Sequence, residues 1–533
     1  MDCISTRLPY RQTGVFSRIA LDYIDRAPAI EPFFAYTPTL QGIQQAIAAR
    51  KKYQTNRPLL VRELKKQYEG AAVHDKVKSN IDLLLADDTF TITTAHQNNI
   101  FTGPLYFIYK IIHAIKLAGH LKASLPAYNF VPVFYIGSED ADLEELNHIH
   151  LGEEKLTWQT SQHGAVGRMK ADRQLTGLIA RIEGQLSVLP HGDEIISLLK
   201  KYYIEGTTIQ DATFRLVNSL FEEFGLVVLL PDNAALKEQV SGIFEDDLLH
   251  QAASGIVEQT AKNLETAGYK VQANPREINL FYLKDDMRER IELENDQYST
   301  LNGQFSFTKE QMLAELKQYP ERFSPNVILR GLYQETILPD IAFIGGGGET
   351  AYWLQLKDLF EHYQVPFPVL VLRNSFLVVE KKWQEKISHL GFTAEDFFLP
   401  EQELVSRLVL RESKNETKLN GSLSAVEKLY ETFKKQAAAV DTTLEKHVDS
   451  LKLKTVNRLQ ELEKKMLRAE KRKFADQQRQ IHTIKEQLFP GGGLQERKEN
   501  ISYYYAKWGS PFIQMLFGNS LALEQEFAVL TEK

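Results

Sequence analysis

Between Phe90 and Ile136 the chain reads as a strand, a loop, a helix and a second strand, and this succession restricts its fold more than any other feature. FTITTA, from Phe90 to Ala95, is rich in β-branched residues. After the loop HQNNIFT, the apolar periodicity of Gly103 to Lys122 predicts a helix, with Thr102 as N-cap and Gly103 and Pro104 opening it. Val131 to Ile136 (VPVFYI) is continuously apolar, as a strand covered on both faces must be. A parallel pair joined by a crossover helix is right-handed and sends the loops after both strands to one sheet edge. His96 and the segment Gly137 to Asp140 are therefore expected on that edge.

The alternation continues and predicts an α/β fold around a parallel sheet. Asp211 to Phe224 reads as helix, Gly225 to Leu230 as strand, Ala235 to Ala267 as mostly helix and Tyr269 to Ala273 as strand. Further strands are expected at Ile341 to Ile344 and Pro368 to Leu372, with a helix from Ala351 to His362 between them. Residues 151–208 and 275–325 break the pattern and read as insertions covering the sheet edge of a core domain that runs to 395. From about Leu399 the composition turns to Lys, Glu, Gln, Leu and Ala. Apolar residues such as Val426, Leu429, Phe433, Val456, Leu459, Leu462, Ile481, Ile484 and Leu488 recur at spacings near three and four. This predicts a helical coiled coil over 396–490. Asp441-Thr442-Thr443 offers an N-cap, so an antiparallel hairpin is expected, and Pro490 with the glycines after it ends the second helix. The tail 491–533, with Tyr503, Tyr504, Tyr505 and Trp508, is expected to pack back on the core.

At 533 residues the chain exceeds one hydrophobic core. Its 63 basic and 70 acidic residues give a net charge of -7, which provides no general attraction to nucleic acid or anionic lipid. The basic run Lys464 to Lys473 reads as a solvated helix face. Cys3 is the only cysteine, so no intramolecular disulfide or cysteine-built metal site can form, and a reducing cytoplasm is expected. Met-Asp-Cys-Ile is unlike a secretory leader, and apolar runs such as Gly225 to Leu230 are too short to span a membrane, so neither export nor membrane insertion is expected.

Three constellations could carry chemistry. His96-Gln97-Asn98-Asn99 lies between a strand and a helix start, where backbone N–H groups suit a phosphate and a histidine can meet developing charge; a structural loop histidine is the alternative. Ser138-Glu139-Asp140, with Asp142, could hold an ammonium group, act as a base or bind magnesium through water; an acidic first turn of a helix is the alternative. Gly345-Gly346-Gly347-Gly348-Glu349-Thr350 allows close backbone approach and either sign of φ, so a phosphate, ribose or carboxylate could lie there. Its match to GxGxxG is partial, and the next strand ends in Arg373-Asn374 rather than an acid. Arg330 and Arg373 could each clamp a carboxylate or phosphate. His148 and His150 alternate on a strand and share a face, but they lack a third ligand of clear spacing, so no metal site is assigned.

FTITTAHQNNIFTGPLYFIYK, YNFVPVFYIGSEDADLEELN, GGGGETAYW and KRKFADQQRQIHTIKEQLFPGGGLQERKEN together resemble the BshC family, the cysteine-adding enzymes of bacillithiol biosynthesis. The resemblance implies a Rossmann-like core with connecting-peptide insertions and a coiled coil that dimerises the chain. The implied reaction adds L-cysteine to glucosaminyl-malate, with the cysteine carboxyl activated as an adenylate or acyl phosphate by ATP or another nucleotide, with magnesium. On this reading His96 and Gln97 act in activation, while Glu139 and Asp140 hold an amino group. Asn98, Thr102, Gly103, Ser138, Gly345 to Gly348, Glu349, Tyr352, Arg330 and Arg373 bind substrate. The family's separate ADP-type site maps loosely onto Gly492, Gly493, Leu494, Gln495, Arg497 and Tyr503.

Three other readings stay open. One is a nucleotidyltransferase or synthetase acting on another acid and amine. A second is an NAD(P)-dependent oxidoreductase built on the Gly345 turn. The third is a non-catalytic partner whose coiled coil assembles other proteins of the pathway.

Overall fold

Five parallel strands form the central sheet, in the spatial order Val369–Leu372, Asp340–Gly345, Thr89–Gln97, Asn129–Gly137 and Val227–Leu229. The computed structural model describes residues 2–413, 415 and 418–533. Met1 of the leader reading, and Lys414, Glu416 and Thr417 of the expected coiled coil, lie outside the described residues. The first strand in the chain, Thr89–Gln97, sits centrally. The next two pair successively on one side, and the last two lie on the other, so the winding reverses between Thr89–Gln97 and Asp340–Gly345. In sheets of this type the crevice at such a reversal, beyond the carboxyl ends of the strands, receives ligands.

Thr89–Gln97 is buried although it carries four threonines, because their hydroxyls find partners. Thr91 and Thr93 donate to Asp340 Oδ1 at 2.9 and 2.6 Å, and Thr94 donates to the Ile344 carbonyl at 2.8 Å. Apolar side chains of the same sheet, including Phe90, Ile92, Ile344, Val369 and Val371, pack with Ala114, Leu117 and Leu121 of the helix Tyr106–Ser124.

Several local expectations are corrected. Thr102 is not a helix N-cap: Phe101, Thr102 and Gly103 have φ of 49, 71 and 62°, and the helix begins at Tyr106 after Leu105, with no side-chain cap. The cause is distant in sequence. Asn500 Nδ2 donates to the carbonyls of Phe101 (2.9 Å) and Gly103 (2.6 Å), and the Leu105 amide donates to the Glu499 carbonyl (2.8 Å). These contacts hold the loop in a left-handed course that two non-glycine residues would otherwise avoid. Tyr269 to Ala273 is not a strand. The Gln355 side chain takes the place of a strand neighbour, accepting from the Gln272 and Ala273 amides and donating to the Ala273 carbonyl at 2.8 Å. The expected helix from Ala351 to His362 is two, Gly347–Trp353 and Lys357–His362. None of Gly345 to Gly348 uses positive φ. Close approach accounts for the first of them, where a Cβ would sit 3.0 Å from both the Glu349 Cβ and the Phe343 ring.

The segments that interrupt the alternation have structure of their own. The first contains a hairpin, His148–Leu151 with Glu154–Thr157, and the helices Arg173–Leu186 and Gly192–Tyr202. The second contains an antiparallel sheet whose central strand, Met287–Glu294, pairs with Leu280–Lys284 on one side and Gln297–Thr300 on the other.

By its internal contacts the chain divides into two units, Met1–Leu377 with Gln495–Leu530, and Val378–Leu494 with Thr531–Lys533. Within the second, the helices Asn420–Val440 and Glu445–Lys471 form an antiparallel hairpin. Asp441 turns the chain by accepting from the Thr443 amide at 2.8 Å, and cross-helix contacts follow at Lys434–Asp449 (2.7 Å), Glu431–Lys452 (2.7 Å) and Tyr430–Thr455 (2.8 Å). The long helix breaks at Arg472–Phe474. A further helix, Ala475–Leu488, buries Ile481, Ile484 and Leu488 and packs on Glu401–Glu412. Lys464, Lys465, Arg468, Arg472 and Lys473 are solvent-exposed.

One buried histidine makes the first unit acid-sensitive. His113 is fully buried; its Nδ1 accepts from the Asn374 amide at 3.0 Å and its Nε2 donates to the Ala522 carbonyl at 2.8 Å, an arrangement only the neutral ring satisfies. Burial pushes its pKa down from 6.5 to about 4. The unfolded chain therefore binds a proton that the folded chain refuses between those values, and stability falls as pH drops through that window. Between pH 7 and 5 the wild type should lose about 2 kcal/mol more than His113→Gln, read by denaturant titration at both pH values.

Candidate functional site

A cavity of about 730 Å³ opens where the winding of the sheet reverses. The carboxyl ends of all five parallel strands, or the loops that follow them, reach it. Taken in sheet order, they bring Arg373, then Gly346 to Glu349, then His96 and Gln97, then Ser138 to Asp140, and finally Pro231. Arg373 and Glu349 thus lie on one side of His96, and Glu139 and Asp140 on the other.

His96 is the penultimate residue of its strand. Its Nδ1 accepts from the Gln97 amide at 2.8 Å, so the neutral ring carries its proton on Nε2. That Nε2 is shielded from solvent and has no partner among the described residues. Burial first, then the positive charges of Lys110, Arg373 and Arg330, hold the pKa well below 6.5. The group is thus a hydrogen-bond donor at neutral pH, suited to an oxygen that gains negative charge.

On the acidic side, two segments pin the Ser138–Asp140 loop. Gln97 Nε2 donates to Asp140 Oδ2 at 2.7 Å, and the amides of Val166 and Gly167 donate to the carbonyls of Asp140 (2.7 Å) and Ser138 (2.9 Å). Gly167 is required by this approach, because a Cβ there would lie 2.3 Å from the Ser138 oxygen. Glu139 forms an ion pair with the fully buried Lys237, which also meets Asp232 at 3.3 Å, and Arg168 grips Asp232 at 2.6 and 2.7 Å. Burial raises the Glu139 pKa in spite of Lys237. Burial works the same way on Asp232, but Lys237 and Arg168 outweigh it and hold that carboxyl down to about 2. The environment therefore pushes the two carboxyls in opposite directions.

On the basic side two of the three cations are paired within the protein. Lys110 pairs with Glu349, whose Oε2 also accepts from the Gly346 amide at 2.8 Å, and Arg373 pairs with Glu496 at 2.6 Å. Arg330 forms no ion pair among the described residues, and neither does Arg288, which belongs to the acidic side and feels the charges of Glu139 and Asp140. Arg330 meets the Tyr352 hydroxyl and lies 5.9 Å from the Tyr135 ring. Arg288 reaches Ser324 Oγ at 3.0 Å and stacks 3.8 Å from the Phe281 ring. A guanidinium without an ion pair, Arg330, facing the cavity beside Lys110 and Arg373, favours an anionic ligand.

Of the residues expected from sequence, the cavity brings together His96, Gln97, Ser138, Glu139, Asp140, Gly346 to Gly348, Glu349, Tyr352, Arg330 and Arg373. Asn98, Thr102, Gly103 and Gly345 do not line it, and all four are buried. Gly492, Gly493 and Leu494 belong to the second unit, while Gln495, Arg497 and Tyr503 belong to the first, where Arg497 lines the cavity. His148 and His150 share a strand face with rings 5.7 Å apart and do not line the cavity. Sequence reasoning missed Lys110, Glu145, Arg288 and the supporting Lys237. Lys110 alone left a signal, as a single charge within the apolar stretch LYFIYKII.

Two family models together span almost the whole chain: "Bacillithiol biosynthesis BshC, N-terminal Rossmann-like domain" matches residues 1–374, and "Bacillithiol biosynthesis BshC, C-terminal coiled-coil domain" matches residues 376–532. A protein of Flavobacterium johnsoniae named "Putative cysteine ligase BshC" is 38% identical over 532 residues, 99% of each chain. Relatives with the same name from Cytophaga hutchinsonii and Salinibacter ruber are 39% and 30% identical. The first covers 91% of each chain, and the second covers 96% of this chain and 95% of its own.

Proposed function

Because this chain belongs to the BshC family of bacillithiol biosynthesis, we propose that it is a cytoplasmic ligase joining the carboxyl group of L-cysteine to the amine of glucosaminyl-malate to give bacillithiol. The observation that carries the reading is the separation of charge along the sheet edge. The acceptor has an amine at one end and two carboxylates at the other, and the cavity offers Glu139 and Asp140 on one side of His96 and the cations Lys110, Arg330 and Arg373 on the other.

In the proposed arrangement Arg330 and Arg373 take the malyl carboxylates, and the turn Gly346 to Gly348 allows their close approach. Asp140 orients the amine, and Glu139, whose carboxylate is raised toward protonation, accepts the proton that the amine releases as the C–N bond forms. His96 donates from Nε2 to the oxygen on which charge builds while the carbonyl is attacked. ATP or another nucleotide supplies the leaving group on the cysteine carboxyl. Among the residues this family was expected to use for a nucleotide, Arg497 is the one that lines the cavity. A magnesium ion accompanying the nucleotide would be held chiefly by its phosphates and water, with at most one or two carboxylates from the protein. The hairpin Asn420–Lys471 exposes Leu429, Phe433, Leu453 and Leu462, a surface suited to a second copy, and a homodimer through it is part of the proposal.

Calorimetric titration of glucosaminyl-malate into the full chain tests the binding half of this reading. Arg330→Gln is expected to weaken binding roughly 10- to 100-fold, the worth of charge-assisted hydrogen bonds. Equal affinity in the two proteins, or none in the wild type, would reject it.

A further inference from the structure

We propose that Glu496 is a positioning residue that fixes the Arg373 guanidinium so that one edge of it grips an oxyanion of the substrate against the Gly346 turn. The inference rests on the reading that the cavity takes an acidic substrate. Glu496 is fully buried, and each of its oxygens is engaged. Oε1 accepts from Arg373 Nη2 at 2.6 Å and Ser375 Oγ at 3.2 Å, and Oε2 accepts from the Phe376 amide at 3.3 Å. On the other side, Arg373 Nη1 donates to the Asn374 carbonyl at 3.0 Å and to Ser375 Oγ at 3.1 Å. A guanidinium has five N–H donors. Three are used in these contacts, which leaves the Nε–H and one Nη2–H, a pair that can hold one carboxylate or phosphate together.

The free edge has a defined neighbour. Arg373 Nε would lie 3.5 Å from a Cβ placed on Gly346, and the Arg373 amide donates to the Gly345 carbonyl at 2.8 Å, so guanidinium and glycine turn face each other at the cavity wall. Tyr106 covers the guanidinium, with Cζ 5.2 Å from the ring centre. Without Glu496 the side chain would keep its charge but lose its orientation, and a buried cation would have no counter-charge when the cavity is empty. The same short segment ends in Asn500, which holds the loop after His96 through the Phe101 and Gly103 carbonyls. Residues 496–500 thus set the geometry of two loops on the sheet edge that are more than 260 positions apart in sequence.

L-malate binding by calorimetry, with the full chain and at a temperature where every variant is folded, decides the matter. Arg373→Gln and Glu496→Gln should each weaken malate about tenfold, Glu496→Asp should recover most of the loss, and the doubly neutral variant should bind no more weakly than Arg373→Gln alone. A merely structural Glu496 would lower the melting temperature and leave malate affinity unchanged in the folded protein. That outcome, additive losses in the double variant, or a wild type that does not bind malate would each overturn the proposal. Malate binding that weakens as expected, in a chain that forms no cysteine conjugate, would support the positioning role and reject the proposed ligation instead.

Discussion

Replacing His96 with alanine is expected to lower the turnover of cysteine ligation by about 10² to 10³-fold while the fold is retained. The ring does not act by changing charge. Its Nδ1 is committed to the Gln97 amide, and burial beside three cations keeps it neutral well below 6.5, so what alanine removes is a fixed Nε2–H donor. Two consequences separate this from general-base catalysis. The pH dependence of turnover should show no limb near 6.5 that disappears in the variant, and His96→Gln, which retains an N–H donor, should recover part of the loss. The ring also packs 5.1 and 5.4 Å from Tyr106 and Phe107, so circular dichroism and melting must accompany the kinetics. A His96→Ala enzyme with unchanged turnover would remove His96 from the chemistry.

The second large effect falls on stability. Lys237→Met is expected to cost about 3–5 kcal/mol, because it removes the buried ammonium that two carboxylates share and strands one of them. Lys237 is fully buried, paired with Glu139 and 3.3 Å from Asp232. Arg168 would still serve Asp232, so Glu139 is the group left uncompensated, and it should take up a proton. Adding Glu139→Gln to Lys237→Met should therefore restore most of the stability in denaturant melts without restoring ligation. A Lys237→Met chain as stable as the wild type would show that this network is far better solvated than its burial implies.

The strands were readable wherever burial on both faces left its mark. FTITTA, VPVFYI and IAFI each stand within an observed parallel strand, and the crossover between the first two placed His96 and Ser138 to Asp140 on one edge, as the register of Gln97 against Gly137 bears out. Periodicity likewise exposed the helical hairpin and its turn at Asp441. Failures came where a distant side chain replaced a local signal. Thr102 has every sequence attribute of an N-cap, yet Asn500 pulls the loop into the left-handed region. Tyr269 to Ala273 has strand-like composition, yet its backbone is satisfied by Gln355. Arg288 sits in an insertion strand whose alternation says nothing of the cavity it faces, and Lys237 in AALKE resembles any surface helix lysine. The Gln495–Asn500 segment shows the same limit, since no local pattern signals that Glu496 meets Arg373 or that Asn500 holds the loop after His96.

The most direct test of cysteine ligation is mass spectrometry of low-molecular-weight thiols in the native bacterium, with this gene deleted and then restored as wild type or His96→Ala. The expected result is that bacillithiol disappears and glucosaminyl-malate accumulates on deletion, and that wild type but not His96→Ala reverses both. Bacillithiol at normal levels in the deletion strain would contradict the proposed function.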